Sequence, residues 1–159
     1  MHMETINIIC VDDQAEVLDS VVRDLKSLES FFRIEGAESA ADCRTLMSEI
    51  EARGEMVGLV ISDHVMPGEN GVSLLSAISL DSHFVGTRRI LLTGQANHAD
   101  TIHAVNDAHI DNYIEKPWVA ETLLATAKRL LTKFIMDKGI DYEEFMPVLD
   151  QQVLLTYLK

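Results

Sequence analysis

Asp12-Asp13, Asp63, Thr93 and Lys116 each stand at the end of a short apolar run, far apart in the chain. Three carboxylates gathered in one place repel one another. A hard divalent cation with oxygen ligands relieves that repulsion, and magnesium also keeps waters and accepts an incoming phosphate oxygen. A lysine adds a mobile positive charge, and a threonine adds a hydroxyl donor. Together, a nucleophilic carboxylate, a metal, a cation and a hydroxyl suit phosphoryl transfer to an aspartate. Singly, each signal is weak. An Asp-Asp pair after a strand is more often a turn or a helix cap. Thr93-Gly94 and Lys116-Pro117 are, alone, a turn and a loop. Only the elements that carry them can bring these residues to one place.

Those elements follow from the apolar periodicity. Thr5 to Val11, Phe31 to Ala37, Val57 to Ser62, the run Ile90-Leu91-Leu92 and Ile110 to Ile114 read as strands. Between them the period changes to that of a helix: Val17, Leu18, Val21, Val22, Leu25 and Leu28, then Cys43, Leu46, Met47 and Ile50, then Leu74, Leu75 and Ile78. Ala99, Ile102 and Val105 predict a fourth helix, and Leu123, Ala127, Leu130, Leu131 and Phe134 a fifth. Five strand-helix repeats imply parallel strands joined by right-handed crossovers. Continuously apolar strands agree, because both sheet faces are then covered. The expected fold is α/β, a doubly wound five-stranded parallel sheet with helices on both faces. Sites in such folds lie beyond the carboxyl ends of the strands, where the acids, Thr93 and Lys116 all fall.

Composition narrows the function classes. The 159 residues fit one domain with a modest extra segment, and 26 acids against 13 bases give a formal charge of -13. Such a surface disfavours direct nucleic-acid binding. No apolar stretch reaches the length of a membrane span, and no signal peptide is expected, so the chain is placed in the cytoplasm. Cys10 and Cys43 read as two buried thiols in a reducing compartment. The histidines show no metal-ligand spacing.

Four stretches carry a resemblance. Ile9-Cys10-Val11-Asp12-Asp13, Ser62-Asp63-His64-Val65-Met66-Pro67-Gly68-Glu69-Asn70-Gly71, Leu91-Leu92-Thr93-Gly94 and Tyr113-Ile114-Glu115-Lys116-Pro117-Trp118 resemble the receiver domain of two-component response regulators, in order and in spacing. The resemblance runs from about Thr5 to Phe134. It implies the flavodoxin-like receiver fold, with Asp63 as phosphoacceptor. It also implies Mg2+ held by Asp13, Asp63 and the backbone carbonyl of Val65, with Asp12 helping directly or through water. Thr93 and Lys116 would contact the phosphoryl group, as would the backbone of His64 and Gly94. Thr93 and Tyr113 would form the switch pair, and Val65 and Gln95 would tune dephosphorylation. Lys116-Pro117 is expected to be cis. The resemblance further implies a sensor histidine kinase or phosphotransfer protein as donor, with a homodimer as one form of output. Enzymatic activity beyond self-catalysed phosphotransfer and autodephosphorylation is not expected. Asn70 and Trp118 depart from the commoner Asp and Phe, and neither removes a key group.

Two other functions remain open from the residues. A magnesium-dependent phosphohydrolase with an aspartyl nucleophile usually needs an acid two residues after it, where this chain has Val65. A flavodoxin-like cofactor binder needs a phosphate-cradling loop after the first strand, where this chain has Asp12-Asp13-Gln14.

Residues 5–136 are assigned to the receiver-like domain. Residues 137–159 form a C-terminal helical extension or the start of an output segment. Gly139 reads as a helix C-cap, Asp141 with Glu144 as a capping box, and Ile140 with Phe145 as a hydrophobic staple. Tyr142, Met146, Leu149, Val153 and Tyr157 follow at helical spacing, and Pro147 is expected to kink the helix or reset its start. The extension packs on its own domain or offers a partner surface.

Overall fold

The sheet is ordered β2-β1-β3-β4-β5, and every neighbouring pair is parallel. Its strands are β1 (Ile6–Val11), β2 (Arg33–Ala37), β3 (Met56–Asp63), β4 (Arg88–Thr93) and β5 (Asn112–Glu115). The helices are α1 (Ala15–Asp24), α2 (Ala40–Ala52), α3 (Gly71–Leu80), α4 (Ala120–Lys138) and α5 (Gln151–Leu158). This computed structural model describes residues 4–94, 106 and 109–159. The helix expected around Ala99, Ile102 and Val105 lies outside the described residues, as does Gln95.

Alternation along the strands explains why the apolar runs are continuous. In β1, Ile6, Ile8 and Cys10 enter one core with α1 and α4, contributed by Leu18, Val21, Leu123, Ala127, Leu130 and Phe134. Ile9 and Val11 point the other way, into a second core with Ala40, Cys43, Met47 and Ile50 of α2 and Leu74, Leu75 and Ile78 of α3. Each fully buried aliphatic side chain contributes roughly 1.5–3 kcal/mol relative to exposure, and a one-residue slip would move every strand side chain to the wrong core. Both thiols are buried, and burial pushes each up to about 12, so neither is a reactive thiolate.

The first helical pattern does not run unbroken to Leu28. Helix α1 stops at Asp24, and a 3-10 turn spans Lys26–Leu28, still burying Leu25 and Leu28. The extension also differs from one kinked helix. Helix α4 ends at Gly139 in the left-handed region (φ 71°), where glycine avoids the Cβ clash. A 3-10 segment, Tyr142–Val148, follows; Asp141 caps it by accepting from the Glu143 amide at 3.2 Å. Asp150 then caps α5, accepting from the Gln152 and Val153 amides at 3.0 and 3.1 Å. Pro147 thus falls in the 3-10 segment, and the helix resets after it. Phe145, Val148, Leu149 and Leu154 join the same core as α1 and α4, and the Phe145 ring stacks 5.4 Å from that of Phe32. The segment packs on its own domain.

Candidate functional site

The parallel register brings the chemistry to one sheet edge. Val11 pairs with Ser62, and Asp63 with Leu92, so the residues after β1, β3 and β4 emerge side by side. The Lys116 amide donates to the Thr93 carbonyl at 2.9 Å, which carries the ladder past β5 to the lysine. One carboxylate oxygen from each of Asp12, Asp13 and Asp63 lies within 4.8 Å of the others. Asp12 and Asp63 are buried, at 1% and 7% exposure, while Asp13 is exposed. The Lys116 ammonium donates to Asp63 Oδ1 at 2.6 Å and stands 3.5 Å from Asp12 Oδ2. The Lys116–Pro117 peptide is cis, as expected.

One cation does not neutralise three carboxylates. Burial raises the Asp12 carboxyl above its ordinary value; the Gln14 amide, which donates to its Oδ1 at 2.9 Å, opposes this, the Asp63 charge adds to it and Lys116 opposes it. Asp12 Oδ2 is buried and, among the described residues, accepts no hydrogen bond. A buried carboxylate oxygen without a donor, facing two more carboxylates, is a fitting ligand for a hard cation. The acidic cluster Asp12, Asp13 and Asp63 can therefore hold a metal ion.

The remaining expected residues are placed less uniformly. Thr93 is buried at the end of β4, and Gly94 is exposed just beyond it. Tyr113 lies on edge strand β5 with its side chain 37% exposed. Val65 is 77% exposed, so its side chain stands in solvent and does not pack against the loop. The His64 amide does not fit the expected phosphoryl contact. It donates to the Leu92 carbonyl at 3.1 Å, which engages it in the sheet.

Several supporting residues gave no sequence signal as site residues. In the sequence Gly71 stands only as the last residue of the second resembling stretch. Its amide donates to the His64 carbonyl at 2.8 Å, and a Cβ there would meet the Asp63 carbonyl oxygen at 2.1 Å, so no other residue fits without displacing the Asp63 backbone. The Trp118 indole donates to Asp24 at 2.7 Å and ties the Lys-Pro loop to the end of α1. Arg44 of α2 grips Glu69 with two bonds, 3.0 and 2.6 Å, across 25 residues of sequence.

Residues 8–128 match the response regulator receiver domain family. The chain belongs to that family. It is a receiver domain, a phosphorylation-dependent signalling switch. The hydrogenase transcriptional regulatory protein HoxA of Cupriavidus necator is 30% identical over 122 residues, covering 77% of this chain and 23% of HoxA. The transcriptional regulatory protein GltR of Pseudomonas aeruginosa is 29% identical over 141 residues, covering 87% of this chain and 55% of GltR. The chain thus spans between about a quarter and about half the length of these relatives. Among solved structures, the signal receiver domain of an HD domain-containing protein from Pseudomonas fluorescens is similar, with TM-score 0.73 and 27% identity. It covers 87% of this chain and 96% of its own. A CheY-like response regulator receiver domain protein from Methanospirillum hungatei has TM-score 0.68 and 26% identity, covering 86% and 99%. No helix among the described residues is long and apolar enough to cross a membrane.

Proposed function

We propose that this receiver domain accepts a phosphoryl group on Asp63, in a Mg2+-dependent reaction, from the phosphohistidine of a sensor kinase or phosphotransfer protein. The observation that carries this is the buried Asp63 carboxylate, 2.6 Å from the Lys116 ammonium and within 4.8 Å of Asp12 and Asp13. Asp12, Asp13, Asp63 and the Val65 carbonyl would hold the ion. When bound, it neutralises charge on the transferring phosphoryl group.

The chain's own residues do the rest. Asp63 presents a carboxylate oxygen as nucleophile. Lys116 holds its other partner position now and moves to a phosphoryl oxygen when that oxygen arrives. Thr93, at the end of β4, and the Gly94 amide face the same transferring group. Asp63 and Thr93 are buried, and at buried positions such groups act more strongly than they would in water. Release of Lys116 and recruitment of Thr93 would draw Tyr113 inward from its exposed position and remodel the β5 edge, a two-state element biased by a local charge. That edge would serve partner binding or a homodimer. The protein would act as a switch in the cytoplasm, not as an enzyme, beyond self-catalysed transfer and autodephosphorylation.

Incubation with acetyl phosphate tests the reaction without knowledge of the partner. Intact mass should rise by one phosphate with magnesium present and stay unchanged in chelator. Equal phosphorylation in chelator would refute the metal-dependent reaction.

A further inference from the structure

The loop between β3 and α3 carries Val65, and Val65 and Pro67-Gly68 are exposed. Besides the Gly71 amide bond to the His64 carbonyl, three side chains hold this loop. Met66 is buried in the second core. Asn70 caps α3 by accepting from the Ser73 amide at 2.8 Å. Glu69 is the third: its carboxylate takes two bonds from Arg44 of α2, at 3.0 and 2.6 Å, and one from the Ser73 hydroxyl, at 2.7 Å. The Arg44 bonds hold the Glu69 carboxyl below the ordinary range, with the Ser73 bond adding to this.

We propose that Arg44, Glu69 and Ser73 form a clasp that positions the metal-presenting loop, so that α2 sets the metal affinity of a site it does not touch. This rests on the reading of Asp63 and the Val65 carbonyl as metal ligands. A bidentate arginine-carboxylate pair fixes orientation as well as distance, which a single ammonium does not. The pair spans two elements, α2 and the loop, so it constrains the loop against a rigid body. The pair is itself partly exposed, so what it supplies is the placement of the loop and not much overall stability. Arg44 and Glu69 are positioning residues, since neither reaches the carboxylate cluster.

The test uses Arg44→Ala, Glu69→Gln, the double variant and Arg44→Lys. Magnesium affinity is read by titration calorimetry, the phosphorylation rate with acetyl phosphate at saturating magnesium, and hydrogen exchange at Gly71 in metal-free protein. Each single variant should bind magnesium roughly tenfold more weakly, and the double variant no more weakly than the worse single. Arg44→Lys should fall between Arg44→Ala and wild type. At saturating magnesium the rates should converge, because positioning is recovered by the bound ion, and Gly71 should exchange faster in the metal-free variants. A thermal melt separates these effects from loss of fold. Unchanged magnesium affinity in folded single variants would overturn the clasp, and so would effects that simply add. If wild type itself shows no saturable magnesium binding, the site reading fails instead, while the Gly71 exchange still reports on the clasp.

Discussion

Asp12 carries a buried negative charge that the metal-free protein must tolerate beside two further carboxylates. Replacement by Asn keeps an acceptor for the Gln14 amide and removes the charge. Asp12→Asn should therefore stabilise metal-free protein by about 1 kcal/mol while weakening magnesium binding. Chemical denaturation with and without magnesium measures both, and a less stable metal-free variant would contradict the assignment. Val65 sets a second test at this scale. Its exposed, apolar side chain offers no group to orient an attacking water. Val65→Asn should speed loss of the phosphoryl group by roughly tenfold, about 1.4 kcal/mol in the barrier. Equal decay after removal of the phosphodonor would show that Val65 does not set the lifetime. Asp12, Asp13, Asp63, Thr93 and Lys116 were legible because each closes an apolar run whose strand assignment was secure. The engagement of the His64 amide, the clash at Gly71 and the Arg44 grip on Glu69 were not. They depend on three-dimensional approach between segments, which no local pattern encodes.

The elements themselves followed from periodicity, and their ends did so less well. Strand β3 reaches Asp63 itself, so the position of the proposed phosphoacceptor is fixed by the sheet ladder and not by a loop. The stop of α1 at Asp24 had no capping residue to announce it; the pattern of buried positions continues through a 3-10 turn that still buries Leu28. The far end of the sheet, opposite the site, is joined by Glu55, just before β3. Its carboxylate accepts from Asn7 of β1 at 3.0 Å, from Arg33 of β2 at 3.2 Å and from Arg53 after α2 at 3.2 Å. The Arg53 bond, then the Asn7 bond, hold Glu55 below its ordinary range. Its contribution to stability is thus fully present above the ordinary glutamate value of about 4.3 and is lost as pH falls through the lowered value. Glu55→Ala should cost about 1 kcal/mol near neutrality, mainly because the buried Asn7 amide loses an acceptor. The difference from wild type should shrink at acid pH. A pH-independent difference in denaturant midpoint would count against this linkage.

At the scale of the whole molecule, the sheet order and the two cores separate the site from the extension. The 3-10 segment Tyr142–Val148 and α5 are fastened to α4 and to the turn after α1. The Asp150 amide donates to Thr132 Oγ1 at 2.8 Å, and Phe145 packs against Phe31 and Phe32. Removing that ring leaves a cavity in the larger core, so Phe145→Ala should destabilise the protein by about 3–5 kcal/mol. Equilibrium denaturation should show one cooperative transition at a lower midpoint, and a loss under 1 kcal/mol would mean that the extension does not share the core. The helical spacing of Tyr142 to Tyr157 suggested helix but could not show that Pro147 would leave a 3-10 segment or that Asp150 would restart the chain as α5. At Asp63 a buried carboxylate, a lysine and an acidic cluster meet. The most direct measurement is the intact mass of wild type and Asp63→Asn after incubation with magnesium and acetyl phosphate. Wild type should gain one phosphate and Asp63→Asn none; a full gain in Asp63→Asn would contradict the assignment.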